Sequence, residues 1–111
     1  MKKLNIDGYF FEGPYILDKD ELPESAGIAL MCTEAGEGIK IMSVEVSDNL
    51  AEEINNCDRK HLWIEKARKG QVDIYINLMD DIKRESIADS IAEKRASVLT
   101  CQKPKIIEDD W

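Results

Sequence analysis

Four carboxylates fall close together near the middle of the chain: Glu45, Asp48, Glu52 and Glu53. Such a group can solvate the outside of a helix, offer a negative surface to a basic partner, or hold a hard cation through oxygen ligands. No run of ligands at fixed loop spacing supports the cation, so no metal or other cofactor is expected. The remaining chemistry-bearing residues are sparse. Cys32, Cys57 and Cys101 are odd in number, far apart and without a CxxC pair, and His61 is the only histidine. A structural zinc site wants four Cys or His ligands, and a disulfide scaffold wants paired cysteines in a secreted chain. Small buried or half-buried thiols are therefore expected. Cys57 and His61, four residues apart, could touch on a helix, but no third group completes a nucleophilic site. Asp58, Arg59, Lys60 and His61 with Trp63 could contact nucleic acid, Arg on phosphate and Trp against a base. The stronger reading makes Trp63 the anchor of a helix on a sheet, one turn after Arg59.

The elements that carry these residues can be read from pattern. Ser47, Asp48 and Asn49 suit a helix start, since their side chains accept from free N–H groups of a first turn. Asn49 with Glu52 has the spacing of a capping box, and the helix is expected to reach about residue 56. Asp58 is expected to cap a second helix over 59–69, ended by Gly70. Residues 27–33 form a compact apolar run and predict a buried strand. A turn over 34–38 follows, with Gly36 and Gly38 free to take positive φ, and then a return strand over 39–46. On that strand Ile39, Ile41 and Ser43 are expected on one face, Lys40, Met42, Val44 and Val46 on the other. Residues 72–78 alternate at period two, with Val72, Ile74, Ile76 and Leu78 on one side and Asp73, Tyr75 and Asn77 on the other. Asp80 and Asp81 predict a long helix to about residue 99, with Ile82, Ile87, Ile91 and Val98 on its apolar side. Residues 1–26 show only one short apolar run and are expected to be irregular.

This order predicts an α+β (mixed α/β) chain: a small antiparallel sheet of three or more strands flanked by helices. Residues 1–104 are expected to form a single domain and 105–111 an acidic C-terminal tail. The chain has 111 residues, enough for one modest core. Its net charge of -8 argues against a general nucleic-acid binder, whose affinity comes from neutralising phosphates. No apolar run approaches the roughly 18 residues of a membrane span. The N-terminal stretch lacks the apolar core of a signal peptide, so the cytoplasm is expected.

The element order and several short motifs resemble the GIY-YIG endonuclease-like superfamily, in particular its small stand-alone bacterial members. Leu22-Pro23 precedes Gly27-Ile28-Ala29. The second strand reads Val44-Glu45-Val46-Ser47-Asp48-Asn49-Leu50, and Cys57-Asp58-Arg59-Lys60-His61-Leu62-Trp63 follows. The likeness spans roughly residues 9–104. The family's nucleases use a tyrosine on the first strand, a tyrosine and a glycine on the second, an arginine on the first helix and a metal-binding glutamate on the last. By position these fall on Ala29, Ser43, Glu45, Glu53 and Ala88, and none matches. Alanine cannot relay a proton, Glu53 puts a negative group where phosphoryl transfer wants a positive clamp, and Ala88 offers no carboxylate to a metal.

The resemblance thus implies a catalytically inactive GIY-YIG-like domain, acting as a protein-binding module through Glu45, Asp48, Glu52 and Glu53. Its partner is expected to be a basic protein, with neither nucleic acid nor membrane expected and the oligomeric state open. Two alternatives stand beside it. One is a metal-dependent nuclease or hydrolase with a relocated site built on Tyr9, Tyr15 or Tyr75. The other is an acidic inhibitor or immunity-type protein that blocks a basic toxin by charge mimicry.

Overall fold

The computed structural model describes residues 1–101. Five strands, β1 (Lys2–Ile6), β2 (Tyr9–Ile16), β3 (Gly27–Ala35), β4 (Gly38–Ser47) and β5 (Asp73–Leu78), form one sheet in the order β1-β2-β5-β3-β4. Every neighbouring pair is antiparallel. Helices α1 (Leu50–Asn55) and α2 (Lys60–Lys66), with a 3-10 turn at Arg68–Gly70, connect β4 to β5, and α3 (Arg84–Lys94) follows. The chain is therefore of the expected α+β class. The tail expected over 105–111 lies outside the described residues.

The largest departure from expectation is at the start. Residues expected to be irregular form the β1–β2 hairpin, with Leu4 opposite Phe11 and Ile6 opposite Tyr9. Its two-residue turn is Asp7-Gly8, at φ 54 and 90. An Asp-Gly pair suits positive φ at both central positions, which matches the twist of paired strands. β2 then joins β5, and the register shifts between Glu12 and Tyr15, around Pro14. Proline has no N–H for the ladder, so a shift at this point is the expected response.

β3 and β4 lie where the sequence placed them, joined by a two-residue turn, since Ala35 pairs with Gly38. Gly36 takes positive φ there, but Gly38 does not. Strict alternation along β4 fails at one residue. Ser43 lies opposite Met31 and Ile41 opposite Cys32, which leaves Met42 without a partner. This bulge places Met42 with Met31 and Trp63 in one core, whereas Ile41, Val44 and Val46 belong to the other. A bulge adds one residue and so inverts the facing of everything beyond it.

The sheet has a core on each face. Ala29, Met31, Ile74 and Ile76 pack with Leu50, Ile54 and Trp63 beneath α1 and α2. Phe11, Ile28, Leu30, Val44 and Tyr75 pack with Ala88 and Ile91 of α3 on the other face. The alternation expected for residues 72–78 therefore holds. The helices are shorter than expected. Asp58 does not cap α2, whose cap position Arg59 makes no side-chain capping bond, and that helix closes at Lys66. α3 begins after a turn in which the Asp81 carboxylate accepts from the Lys83 N–H at 2.8 Å, and it closes at Lys94. Ile82 is 99% exposed, so the apolar side of α3 does not extend to it. A helix gains stability where its apolar face finds a surface to cover, and α3 ends where that surface does. Among the described residues no helix is long and apolar enough to cross a membrane.

Candidate functional site

α1 begins as its sequence predicts. The Asn49 side chain accepts from the Glu52 N–H at 3.1 Å, while the Ser47 hydroxyl accepts from the Asn49 N–H at 3.0 Å and donates to the Asn49 carbonyl. Leu50 and Ile54 turn inward and hold the helix on the sheet. Glu52 and Glu53 are consequently left on the outside, and both are exposed. An open depression of about 740 Å³ lies along this helix, lined by Asp48, Glu52, Glu53, Asn56, Asp58 and Arg59 among others. Asp48 also reaches Arg84 of α3 in an ion pair, yet its side chain stays 91% accessible. The Arg84 guanidinium donates to the Met79 carbonyl at 3.3 Å, which holds it at the end of β5.

Glu45 differs from the other three carboxylates, and its expected place on the contact surface is corrected. It points beneath α2, is 5% exposed, and forms an ion pair with Arg59. The guanidinium engages both carboxylate oxygens, Nη1 at 2.9 Å from Oε2, and Nη1 also donates to the Cys101 carbonyl at 2.9 Å. Burial by itself works against a charged guanidinium, but the hydrogen bonds and charge of Glu45 outweigh it and raise the Arg59 pKa. The same guanidinium lies 5.7 Å from the centre of the Trp63 ring. Trp63 is fully buried, as expected of an anchor rather than a base-stacking residue. His61 is exposed, and Cys32 and Cys101 are buried while Cys57 is half-buried.

The positions aligned with the nuclease residues do not line one hollow. Ala29 and Ser43 are buried on the α1–α2 side, and Glu53 is exposed on α1. Ala88 belongs to the core on the opposite face of the sheet. The sheet itself therefore separates Ala88 from the rest. The tyrosines proposed for a relocated site are likewise dispersed. Tyr15 packs on the α1–α2 side, Tyr9 on the α3 side, and Tyr75 is buried in the latter core. Burial, with the Asp73 charge and Cys32 behind it, pushes the Tyr75 phenol up, which makes it a poorer proton donor at neutral pH. Among the described residues no three His, Cys, Asp or Glu side chains are grouped closely enough to hold a metal ion.

Sequence reasoning missed the roles of Arg59 and Asp58. The sequence offers Arg59 as a phosphate contact, whereas it neutralises a buried glutamate 14 residues away. Nothing in spacing alone pairs a strand residue with a helix cap at that distance. Asp58, expected as a cap, instead joins the acidic wall. No family model, curated protein or solved structure matches this chain.

Proposed function

We propose that this chain works by binding a basic protein partner through the acidic wall along α1, as a GIY-YIG-like domain that lacks the family's nuclease residues. One observation carries the reading. The depression along α1 is walled by Asp48, Glu52, Glu53 and Asp58, and among the described residues its one cationic lining side chain, Arg59, is already held by Glu45. Asp48 is paired with Arg84, so the negative local field of this wall comes from Glu52, Glu53 and Asp58, and it steers a cationic surface toward the wall and repels phosphate. A protein that blocks a basic toxin would be a narrower form of the same activity.

The experiment replaces Glu52 and Glu53 together by lysine, leaving Glu45 alone because it is internal. A partner recovered with the wild-type chain should associate more slowly with E52K/E53K, and wild-type association should slow as salt rises. Equal association rates for both proteins would sink the acidic-wall reading. Metal-dependent cleavage of single- or double-stranded nucleic acid by the purified chain would favour the hydrolase instead.

A further inference from the structure

The turn between β1 and β2 holds the one Asp-Gly step of the chain, and no Asn-Gly step occurs. Such a step carries its own chemistry. Glycine has no side chain to keep its amide nitrogen away from the carboxyl carbon of the preceding aspartate, and its backbone turns freely enough to reach it. Attack of the Gly8 nitrogen on Asp7 Cγ would form an N–C bond and a five-membered cyclic imide. The carboxyl hydroxyl and the amide proton leave together as water. Water then adds back to one of the two imide carbonyls. Opening at Cγ restores aspartate. Opening at the main-chain carbonyl carbon breaks the old peptide bond and leaves the backbone running through Cγ, as isoaspartate. One water is lost and one regained, so no other reactant is needed.

The fold restrains both reacting groups. Arg95 Nη1 and Nη2 donate to Asp7 Oδ2 and Oδ1, each at 2.9 Å, and Lys94 Nζ lies 3.9 Å from Oδ2. Both carboxylate oxygens are thus engaged, and the side chain is only 18% accessible although the turn itself is exposed. Arg95 is in turn fixed to the end of α3, where Nη1 also donates to the Ile91 carbonyl at 3.0 Å. The attacking group is held separately: the Gly8 N–H donates to Asn5 Oδ1 at 3.0 Å, which keeps its proton and fixes its direction. The hydrogen bond from Arg95 also holds the Asp7 carboxyl below its ordinary value, against the opposing effect of burial, so less of it carries the hydroxyl that must leave.

We propose that Asp7-Gly8 is a site of isoaspartate formation, kept as aspartate by the Arg95 clamp on its carboxylate and the Asn5 bond on its attacking amide. Release of either restraint lets the turn modify itself. The product would not fit the hairpin. A two-residue turn with positive φ at both positions matches the pairing of Ile6 with Tyr9, and an added main-chain carbon removes that match. Leu4, Ile6 and Tyr9, half-buried against the α3 core, lose their fixed position with it. This chemistry is independent of the acidic wall along α1.

The test incubates the full chain at neutral pH and measures isoaspartate at position 7 over time by peptide mapping, with electron-transfer fragmentation to tell the two isomers apart. A synthetic peptide of residues 1–13 gives the unrestrained rate. The wild-type chain should isomerise at least about tenfold more slowly than the peptide, because its reacting groups are held out of the geometry of attack. Arg95→Gln and Asn5→Ala each release one restraint and should each raise the rate by at least about threefold over wild type. Gly27→Ala, which disturbs the sheet far from this turn, should leave the rate unchanged and so separates local release from general loss of stability. Wild-type isomerisation at the peptide's rate overturns the proposal, as does either Arg95→Gln or Asn5→Ala remaining as slow as wild type. Equal acceleration by Gly27→Ala would trace the reaction to global unfolding and overturns it too.

Discussion

The Arg59 guanidinium and the Glu45 carboxylate lock helix α2 to strand β4 through a two-point ion pair beneath the helix. Both groups are largely out of water, and Arg59 adds a bond to the Cys101 carbonyl that ties in the end of the described chain. A pair of this kind contributes little beyond a well-packed apolar substitute, but removing one partner strands the other charge.

Glu45→Ala and Arg59→Ala should therefore each lower stability by about 3–5 kcal/mol. Removing both should cost less than the sum of the two losses. Urea unfolding of the four proteins in a double-mutant cycle checks this. Additive losses would mean that the pair is not coupled in solution.

Asp7 and Arg95 make the matching tie on the opposite face, two bonds of 2.9 Å between the hairpin turn and the end of α3. Hydrogen bonding by Arg95 holds the Asp7 carboxyl below its ordinary value, against the smaller effect of its partial burial. A depressed folded-state pKa contributes stability above the unfolded value of about 3.9, lost as pH falls through the folded value. Arg95→Gln should thus be less stable than wild type at neutral pH by under about 1 kcal/mol, the scale of an exposed pair. The gap should narrow once acid has protonated Asp7 in both proteins. Thermal melts across that range, with the Asp7 titration followed by NMR, provide the measurement.

Burial, with the Asp73 charge adding to it, pushes the Cys32 thiol up to about 12. Cys101 is also buried, and Cys57 is the half-buried thiol. Since the thiolate is the nucleophile, iodoacetamide applied to the native protein at mild alkaline pH should modify Cys57 first. Cys32 should react only after denaturation. Peptide mass mapping over time decides, and early labelling of Cys32 would contradict the burial assigned to β3.

Gly27 opens β3 where two strands and a helix converge. A Cβ at this position would lie 2.4 Å from the Asn77 carbonyl oxygen and 3.0 Å from Leu50 Cδ1. Gly27→Ala should push β3 away from β5 and lower stability by about 1–3 kcal/mol, the usual range for overpacking. Gly38→Ala meets open space and should be close to neutral. A urea midpoint for Gly27→Ala equal to that of Gly38→Ala would argue against so close an approach of the strands.

Local pattern was sufficient for much of this protein. The apolar run at 27–33, the alternation at 72–78 and the Asn49–Glu52 cap each involve neighbours in sequence, so their physics is written in a few adjacent residues. The first hairpin is also written locally, in Asp7-Gly8 between alternating apolar residues, although residues 1–26 are expected from their overall pattern to be irregular. Tertiary structure decided the rest, because it depends on which distant residues meet. The bulge at Met42 inverts one end of β4, and no single strand can announce a bulge that its partner creates. The assignment of Glu45 to the interior and of Glu52 and Glu53 to the surface followed from how α1 and α2 settle on the sheet. Charge and hydropathy identify what a residue can do; only packing determines what stands opposite it, and that sets whether a carboxylate is a surface, a buried partner or a bystander.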